Sequence, residues 1–235
     1  MLALVPLLVA AAGAAPITHG ERLEWAVTWM GVPAGRAWVT TAVDAAAAGA
    51  DVTFEAGATS APWLAGLYPI DDHLRSEWRP GAGSRRYVTR FREGDFQQDQ
   101  DVRLDARPIT VARSQRFDEG WRTWTDTQAA APGVEDPVSA FFRIREEAGP
   151  VGERVRYDVW GGRGAKGVEV WTAGVEVVDG RDALRVEVLT AHTSGDFESK
   201  MTVWVSDDAD RVPLRAEVRT RAGPVRVTLV RRVVE

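Results

Sequence analysis

The chain has 235 residues, of which 34 are acidic and 29 are basic, so its formal net charge is −5. A negative balance argues against a dedicated nucleic-acid binder, because phosphate groups are bound by basic surfaces. Cysteine is absent, which excludes disulfides, thiolate nucleophiles and cysteine-ligated zinc or iron–sulfur centres. The three histidines, His19, His73 and His192, are far apart in the sequence, and we expect neither a metal site nor a cofactor.

An uncharged, apolar segment opens the chain. Leu2–Ala15 would span about 21 Å as a helix, less than the roughly 30 Å of a bilayer core, so it resembles the hydrophobic part of a secretory signal peptide. Ala12-Gly13-Ala14 has the A-x-A pattern of a cleavage site. No basic residue precedes the segment, which leaves a buried N-terminal element as the alternative. We predict a signal peptide at 1–14, a single exported domain at 15–235 and no transmembrane segment after cleavage.

Alternation of apolar and polar residues dominates the rest of the chain. Leu23, Trp25, Val27 and Trp29 share one parity, and similar alternation recurs in segments that are separated by Gly, Pro and Asp turns. The predicted strands are 23–29, 36–43, 52–58, 70–78, 86–92, 97–104, 110–117, 155–160, 168–175, 184–190, 200–205, 214–220 and 225–230. The sequence therefore predicts an all-β fold, either a large curled antiparallel sheet (a half-barrel) or a two-layer β-sandwich.

One segment departs from this alternation. Asp136 followed by Pro137 is typical of a helix N-terminus, and Gly149-Pro150 is a stop signal, so the sequence predicts one short helix near 137–147. We expect this helix to dock on the sheet because its apolar residues fall on one face: Val138, Phe141 and Phe142. A weaker helix or tight turn is predicted at Trp63–Tyr68.

Ten tryptophans are about three times the usual share for a chain of this length. Four of them have the parity opposite to that of their aliphatic strand neighbours, and these are the candidate ligand-binding residues: Trp38, Trp160, Trp171 and Trp204. Three explanations are open for such an apolar second face. It packs against another protein layer, it lines a concave cavity for a lipid-like ligand, or it forms an exposed platform on which sugar rings stack.

Two acidic clusters are candidates for chemistry. Asp71–His73 with Glu77 has the residue types of a general acid–base pair or a cation site, although alternating charges on a solvated strand face give the same pattern. Asp207–Arg211 is similar to a calcium loop but lacks its glycine and distal glutamate, and an ordinary Asp-rich turn explains it better. No nucleophile elbow, P-loop or dinucleotide fingerprint occurs, so we assign no catalytic residue.

Four blocks of the sequence stand out together. They are G-E-R-L-E-W-A-V-T-W-M-G-V-P-A-G at Gly20–Gly35, D-D-H-L-R-S at Asp71–Ser76, V-E-D-P-V-S-A-F-F-R-I-R at Val134–Arg145, and W-V-S-D-D-A-D-R-V-P-L-R at Trp204–Arg215. In this order they resemble the motifs of an exported bacterial family, the domain of unknown function 3108. The resemblance covers nearly the whole predicted mature chain.

The resemblance implies a mostly β protein of the bacterial periplasm or cell envelope, with no established activity. The chain departs from the family pattern at Trp25, where Tyr is usual, and at His73, where Arg is usual. The motif positions suit turns, a capped helix and strand ends, and we assign them a structural role: Gly31, Gly35, Asp71, Asp72, Asp136, Pro137, Asp207, Asp208, Arg211 and Pro213.

From these observations we expect a non-enzymatic envelope protein that binds an apolar, lipid-like ligand or an envelope partner protein. The reasons are the predicted export and the tryptophans on the face opposite the aliphatic core. The alternative is a carbohydrate-binding or carbohydrate-active β-module that uses exposed tryptophans and carboxylates. A third class, a structural assembly subunit, predicts an exposed apolar patch larger than a few hundred Å².

Overall fold

The computed structural model describes residues 17–44, 51–162, 164–190, 199–220 and 222–235, so the predicted signal peptide at 1–14 lies outside the described residues. The described strands are β1 (Glu21–Trp29), β2 (Val32–Asp44), β3 (Asp51–Ser60), β4 (Asp71–Arg79), β5 (Gly83–Glu93), β6 (Phe96–Arg103), β7 (Ile109–Phe117), β8 (Gly120–Gln128), β9 (Arg154–Trp160), β10 (Ala165–Val178), β11 (Arg181–Thr190), β12 (Ser199–Ser206), β13 (Pro213–Thr220) and β14 (Gly223–Val234). The helices are α1 (Pro62–Ala65) and α2 (Pro137–Glu147). Neither of these helices is long and apolar enough to cross a membrane.

One continuous sheet contains all of these strands, in the order β8-β7-β6-β5-β4-β3-β2-β1-β14-β13-β12-β11-β10-β9. The chain runs outward from β1 to the edge strand β8, crosses over through α2 to the opposite edge strand β9, and returns until β14 pairs with β1. Each strand is antiparallel to its neighbours, as the β1–β14 and β1–β2 pairs illustrate. The middle of the sheet is therefore formed by β1 and β14, the first and last of the described strands.

The sheet curls until its two ends approach each other. The carbonyl of Val134 accepts a hydrogen bond from the N–H of Ser84 in β5 (3.1 Å). The next residue, Glu135, pairs with β9, donating to the carbonyl of Asp158 (2.8 Å) and accepting from the N–H of Trp160 (2.7 Å). Strand β9 is one edge of the sheet, and β5 is the fourth strand from the opposite edge. The consecutive residues Val134 and Glu135 can bond to β5 and β9 only if the sheet is curved. This confirms the predicted curled antiparallel sheet.

Helix α2 packs on the concave face of the sheet. It begins where the Asp136-Pro137 pair predicts, because one carboxylate oxygen of Asp136 accepts from the backbone N–H groups of Val138 (2.8 Å) and Ser139 (3.0 Å). Two aromatic side chains of α2 then meet the sheet, Phe142 stacked on Phe54 and Phe141 edge-on to Trp25, with ring centroids 4.4 and 6.0 Å apart. The helix thereby fills the concave space over β1, β3 and β4.

A buried ion pair fixes the other end of α2. Arg145, in the last helical turn, donates to the carboxylate of Glu21 in β1 over 2.6 Å, and both side chains are fully buried. The same guanidinium donates twice to the backbone carbonyl of Asp210, at 2.7 and 3.1 Å. Arg232 in β14 binds the second oxygen of Glu21 over 2.8 Å. The last turn of α2 is thus tied to the centre of the sheet.

Strand β8 is the strand that sequence alternation did not reveal. Its two faces carry Trp121, Thr123, Thr125 and Thr127 on one side and Arg122, Trp124, Asp126 and Gln128 on the other. Neither face has an aliphatic residue, so no alternation of apolar and polar groups marks it. It exists because it pairs with β7 along its whole length at the edge of the sheet.

Candidate functional site

Three of the four candidate tryptophans lie on the convex face of the sheet. Trp38, Trp171 and Trp204 point away from α2, and each half-buried ring carries an arginine guanidinium from a neighbouring strand. The distances to the ring centroid are 5.2 Å for Arg22 over Trp38, 4.3 Å for Arg154 over Trp171 and 6.0 Å for Arg215 over Trp204. Cation–π stacking therefore explains why indoles occupy this face, an explanation that differs from the three open at the sequence level.

The fourth candidate, Trp160, is part of the core. Its side chain is 1% exposed and belongs to the apolar cluster that includes Val102, Ile109 and Val111. Its indole N–H is buried without a hydrogen-bond partner among the described residues. The structure does not bring the four tryptophans together, and of the four only Trp38 lines a groove described below.

The motif glycines serve the backbone. Gly31 has a φ of +82° in the β1–β2 turn, a region that favours glycine. A Cβ on Gly35 would stand 2.2 Å from the carbonyl oxygen of Thr59, so only glycine permits the close approach of β2 and β3 there. Both positions are therefore structural in this fold.

The two aspartates of the β4 motif differ in solvent exposure. Asp71 is exposed, with one carboxylate oxygen 3.3 Å from Nε2 of His73. Asp72 is buried and accepts a hydrogen bond from the backbone N–H of Arg92 (2.8 Å). Burial, and then the neighbouring charge of Asp72, raise the pKa of Glu93. These contacts connect β4 with β5.

The second acidic motif forms a turn. One carboxylate oxygen of Asp208 accepts from Ser206 Oγ (2.7 Å) and from the N–H groups of Asp210 and Arg211 (3.0 and 3.1 Å). Burial raises the pKa of Asp208, but these hydrogen bonds outweigh it and lower the pKa overall. Arg211 adopts a φ of +48° before β13 begins at Pro213, and its guanidinium binds Asp207. Among the described residues no group of three or more acidic or histidine side chains could hold a metal ion.

A buried polar cluster surrounds the start of α2. Ser76 donates to Asp136 over 2.5 Å, Ser139 donates to Glu135 over 2.9 Å, and the hydroxyls of Ser84 and Ser139 are 2.7 Å apart. Burial raises the pKa of both Glu135 and Asp136. Serines beside acids resemble a nucleophilic site, but all five side chains are buried. The cluster caps the helix, and Arg143 adds a hydrogen bond to Glu135 over 3.1 Å.

The strongest candidate site is a polar cleft on the concave face of the β6–β8 arm. It has a volume of about 500 Å³ and lies between this arm and the β9–β10 turn. Its lining comprises Phe96, Gln98 and Gln100 from β6, Arg113 and Gln115 from β7, Trp124 and Gln128 from β8, and Gly161 and Gly162 from the turn. We call this space the polar cleft.

Hydrogen bonds hold the side chains of the polar cleft in place. The side-chain amide of Gln100 donates to the amide oxygen of Gln98, and the amide N–H of Gln98 donates in turn to the side-chain oxygen of Gln115 over 2.8 Å. Arg113 donates both to Asp126 and to the backbone carbonyl of Gly162. The indole N–H of Trp124 also donates to Asp126, over 3.0 Å. The cleft is therefore an ordered network that joins the β6–β8 arm to the opposite end of the sheet.

The polar cleft interrupts the apolar inward positions of β6 and β7. In β6 the inward positions run from Gln98 and Gln100 to Val102, and in β7 they run from Val111 to Arg113. Gln98 and Gln100 are each only 9% exposed, although they are polar. Sequence analysis assigned no site residue to this stretch. In the sequence, Gln98 and Gln100 occupy the same strand face as Val102, where aliphatic residues would be expected. This substitution of glutamine for aliphatic residues could have located the site.

Chemically, the polar cleft suits binding. Each glutamine amide offers both a donor and an acceptor, and Trp124 adds an aromatic ring. The carboxylate of Asp126 is neutralised by Arg113, so the pair contributes little net charge. The described lining residues include no serine, histidine or carboxylate that could form a nucleophile–base or acid–base pair.

A second groove of about 500 Å³ lies on the convex face around Trp38. Its lining residues are Trp38, Val230 and Ala26, the cations Arg22, Arg36 and Arg231, and Glu24, Trp25, Ala37 and Thr59. Val230 reaches this groove because the β1–β14 register shifts between Glu24 and Trp25 and leaves it without a partner. We call this space the Trp38 groove.

Comparisons with known proteins support the fold and identify the family. No curated protein matches the sequence. A β-barrel-like protein of domain of unknown function DUF1849 from Brucella abortus has a similar structure, with a TM-score of 0.58 and 10% identity over 94% of this chain and 100% of that chain. At this identity the likeness shows the fold alone. The lipoprotein LppX of Mycobacterium tuberculosis gives a TM-score of 0.28 and 13% identity over 94% of this chain and 87% of that one, and this TM-score is too low to support an argument.

The family described as "Protein of unknown function (DUF3108)" matches residues 24–230, and the chain therefore belongs to the DUF3108 family.

Proposed function

We propose that this chain is a non-enzymatic binding protein whose polar cleft takes a hydroxyl-rich ligand, such as a glycan of the bacterial cell envelope. The observation that supports the proposal is the convergence of four glutamines on one concave surface: Gln98, Gln100, Gln115 and Gln128. This is the carbohydrate-binding alternative of the sequence analysis, reached through amides rather than through the predicted tryptophans.

The chemistry of the lining favours neutral, hydroxylated molecules. A hydroxyl group both donates and accepts, and a glutamine amide does the same, so each can satisfy the other. The ion pair of Arg113 and Asp126 leaves little net charge to attract an ionic ligand. Trp124 provides an aromatic surface of the kind that packs against sugar rings. The volume of about 500 Å³ is within the range typical of small-molecule sites.

We place the protein in the periplasm or cell envelope of a bacterium. The support is the uncharged Leu2–Ala15 segment with its Ala12-Gly13-Ala14 pattern. An envelope location would bring the polar cleft into contact with polysaccharides and their fragments.

The test is a glycan array followed by calorimetry with the best binder. Gln98→Met with Gln115→Met removes both partners of one hydrogen bond while keeping the side-chain volume. The amide of Gln100 also loses its acceptor on Gln98, so unfolding curves of the variant must first show that the fold is kept. Gln97→Met is the matched control, because Gln97 is on the same strand and points to the opposite face. We expect the double variant to lose the glycan and the control to keep it. Absence of any bound glycan, or equal binding by all three proteins, would refute the proposal.

A second candidate is an anionic amphiphile in the Trp38 groove, which is the lipid-like ligand predicted from the sequence in a narrower form. The specific observation is that Trp38 and Val230 provide an apolar floor beside the cations of Arg22, Arg36 and Arg231. Such a mixture suits a molecule with an apolar chain and a negative headgroup.

Native mass spectrometry of protein purified from a bacterial envelope, followed by lipid extraction, tests the second candidate. A bound amphiphile should disappear with Trp38→Ala and persist with Trp171→Ala, since Trp171 is a convex-face indole that does not line the groove. An empty protein, or equal loss in both variants, would remove this candidate and leave the polar cleft unaffected.

A further inference from the structure

Two neighbouring turn regions at one end of the sheet contain no charged residue. Trp25–Gly35 passes through the β1–β2 turn, and Ala56–Ile70 passes through α1 between β3 and β4. In the chain as a whole 27% of the residues are charged, so two adjacent segments of this length without charge are unusual. We call their outermost parts, Thr28–Ala34 and Ser60–Ile70, the uncharged cap.

The uncharged cap is one continuous surface. The indole N–H of Trp63 donates to the carbonyl of Pro33 over 2.6 Å, and the N–H of Ala61 donates to the carbonyl of Ala34 over 2.7 Å. On the other side, the N–H of Gly94 donates to the carbonyl of Pro69 over 2.8 Å. These bonds join the β1–β2 turn, the β3–β4 connection and the β5–β6 turn, and they leave the apolar side chains facing outward.

Several large apolar side chains of the cap are exposed. Leu67 is 80% exposed and Met30 is 58% exposed, and about half of the surface of each of three others is exposed: Val32, Trp63 and Tyr68. Single exposed apolar residues are ordinary on protein surfaces, but a contiguous group marks an interaction site. The cap is distinct from the polar cleft and from the Trp38 groove, because none of these five side chains lines either.

We propose that the uncharged cap docks into the interface of a phospholipid bilayer. A protein partner would tolerate a charged rim, since protein interfaces are about as polar as the remaining surface. A bilayer penalises charge within the part of a protein that it covers, because a charge moved toward hydrocarbon is costly, so the absence of charge across both segments matches a membrane. The charges of Glu93 and Asp95 lie in the adjoining β5–β6 turn, at the edge of the cap. Trp63 and Tyr68 add side chains with an apolar ring and a polar tip, which suit the membrane–water boundary.

Binding of the cap to a bilayer should depend on the burial of apolar side chains and not on the charge of the lipid headgroups. The cap has no lysine or arginine that could bind anionic headgroups. We therefore expect similar binding to vesicles of phosphatidylcholine alone and to vesicles with added phosphatidylglycerol, and little change between low and high salt. The inference does not depend on the ligand of the polar cleft.

The absence of cysteine from the chain allows a site-specific test. Leu67→Cys in the full chain, labelled with an environment-sensitive fluorophore, reports whether the cap enters phosphatidylcholine vesicles. Val177→Cys is the matched control, because Val177 is 70% exposed on β10, outside the cap. A probe at residue 67 also distinguishes insertion of the cap from binding through the apolar Leu2–Ala15 segment, which would leave the probe in water.

We expect a blue-shifted emission and quenching by brominated lipid for the probe at Leu67, and neither for the probe at Val177. A second variant tests the contribution of Leu67 itself, with the fluorophore on Met30→Cys. Adding Leu67→Glu to this labelled protein should weaken its binding to vesicles by about tenfold or more, the equivalent of one leucine removed from an apolar environment. An unchanged probe at Leu67, or equal shifts at both sites, would overturn the proposal. A shift that requires protein concentration instead of vesicles would overturn it in favour of a second copy of the chain.

Discussion

The ion pair between Glu21 and Arg145 should be the most sensitive polar contact of the fold. Both side chains are fully buried, and the guanidinium has one carboxylate and one backbone carbonyl as partners. Glu21→Gln removes the carboxylate charge while keeping the shape. Because arginine remains protonated in proteins, the variant leaves a buried cation without an anion. We expect a loss of about 3–5 kcal/mol in the free energy of unfolding.

Replacing the arginine of this pair should lower the free energy of unfolding less than replacing the glutamate, because Glu21 has a second cationic partner. In Arg145→Met the carboxylate of Glu21 keeps its second partner, Arg232, at 2.8 Å. We expect a loss of about 1–3 kcal/mol, mainly for the carbonyl of Asp210 that loses its donor. The double variant should be more stable than Glu21→Gln alone, since it contains no orphaned guanidinium in the core.

Urea unfolding monitored by tryptophan fluorescence measures these losses, with thermal unfolding as a second probe. A loss of this size lowers the melting temperature by about 6–20 °C, at roughly 2–4 °C per kcal/mol for a chain of this length. Glu217→Gln is the control, because its ion pair with Arg226 is solvent-exposed and should contribute less than about 1 kcal/mol. If Glu21→Gln costs no more than this control, the pair does not hold α2 and the reasoning is refuted.

Gly35→Ala should lower the urea midpoint sharply, because the new Cβ would stand 2.2 Å from a backbone oxygen of Thr59. Burial raises the pKa of Glu135 above its ordinary 4.5, so this group's contribution to stability is present below that value and is lost as pH rises through the raised pKa. Glu135→Gln should remove that loss in unfolding curves measured across pH. A double-mutant cycle of Arg154→Ala and Trp171→Leu should give a coupling of about 0.5–1 kcal/mol, and zero coupling would exclude stacking.

Much of the fold is readable from the sequence because most strands have one apolar face. The curled antiparallel sheet follows from alternation and turn residues, and the start of α2 follows from Asp136 and Pro137. Strand β8 escapes such reasoning because neither of its faces has an aliphatic residue, and it forms through edge pairing with β7. The pairing of β1 with β14 joins the two ends of the described chain, and no local pattern encodes that long-range contact.

The candidate site was less accessible to sequence reasoning. Parity correctly separated Trp38, Trp171 and Trp204 from the aliphatic face, but parity cannot show that a guanidinium from the next strand covers each ring. The polar cleft depends on the curl, which brings Gly162 in the β9–β10 turn against Arg113 in β7. Residues so far apart in sequence meet only after the whole sheet has formed.

The anchoring of α2 bears directly on the class of ligand. Its first turn is capped by Asp136, which Ser76 holds at 2.5 Å, and its last turn is held by the ion pair of Arg145 with Glu21. Buried polar anchors of this kind add little stability over apolar packing, but they define one position for a helix. An apolar ligand over β1, β3 and β4 would have to displace α2 from both anchors. Within the described residues the concave surface of the β6–β8 arm remains open, and its amides, guanidinium and indole favour a polar ligand.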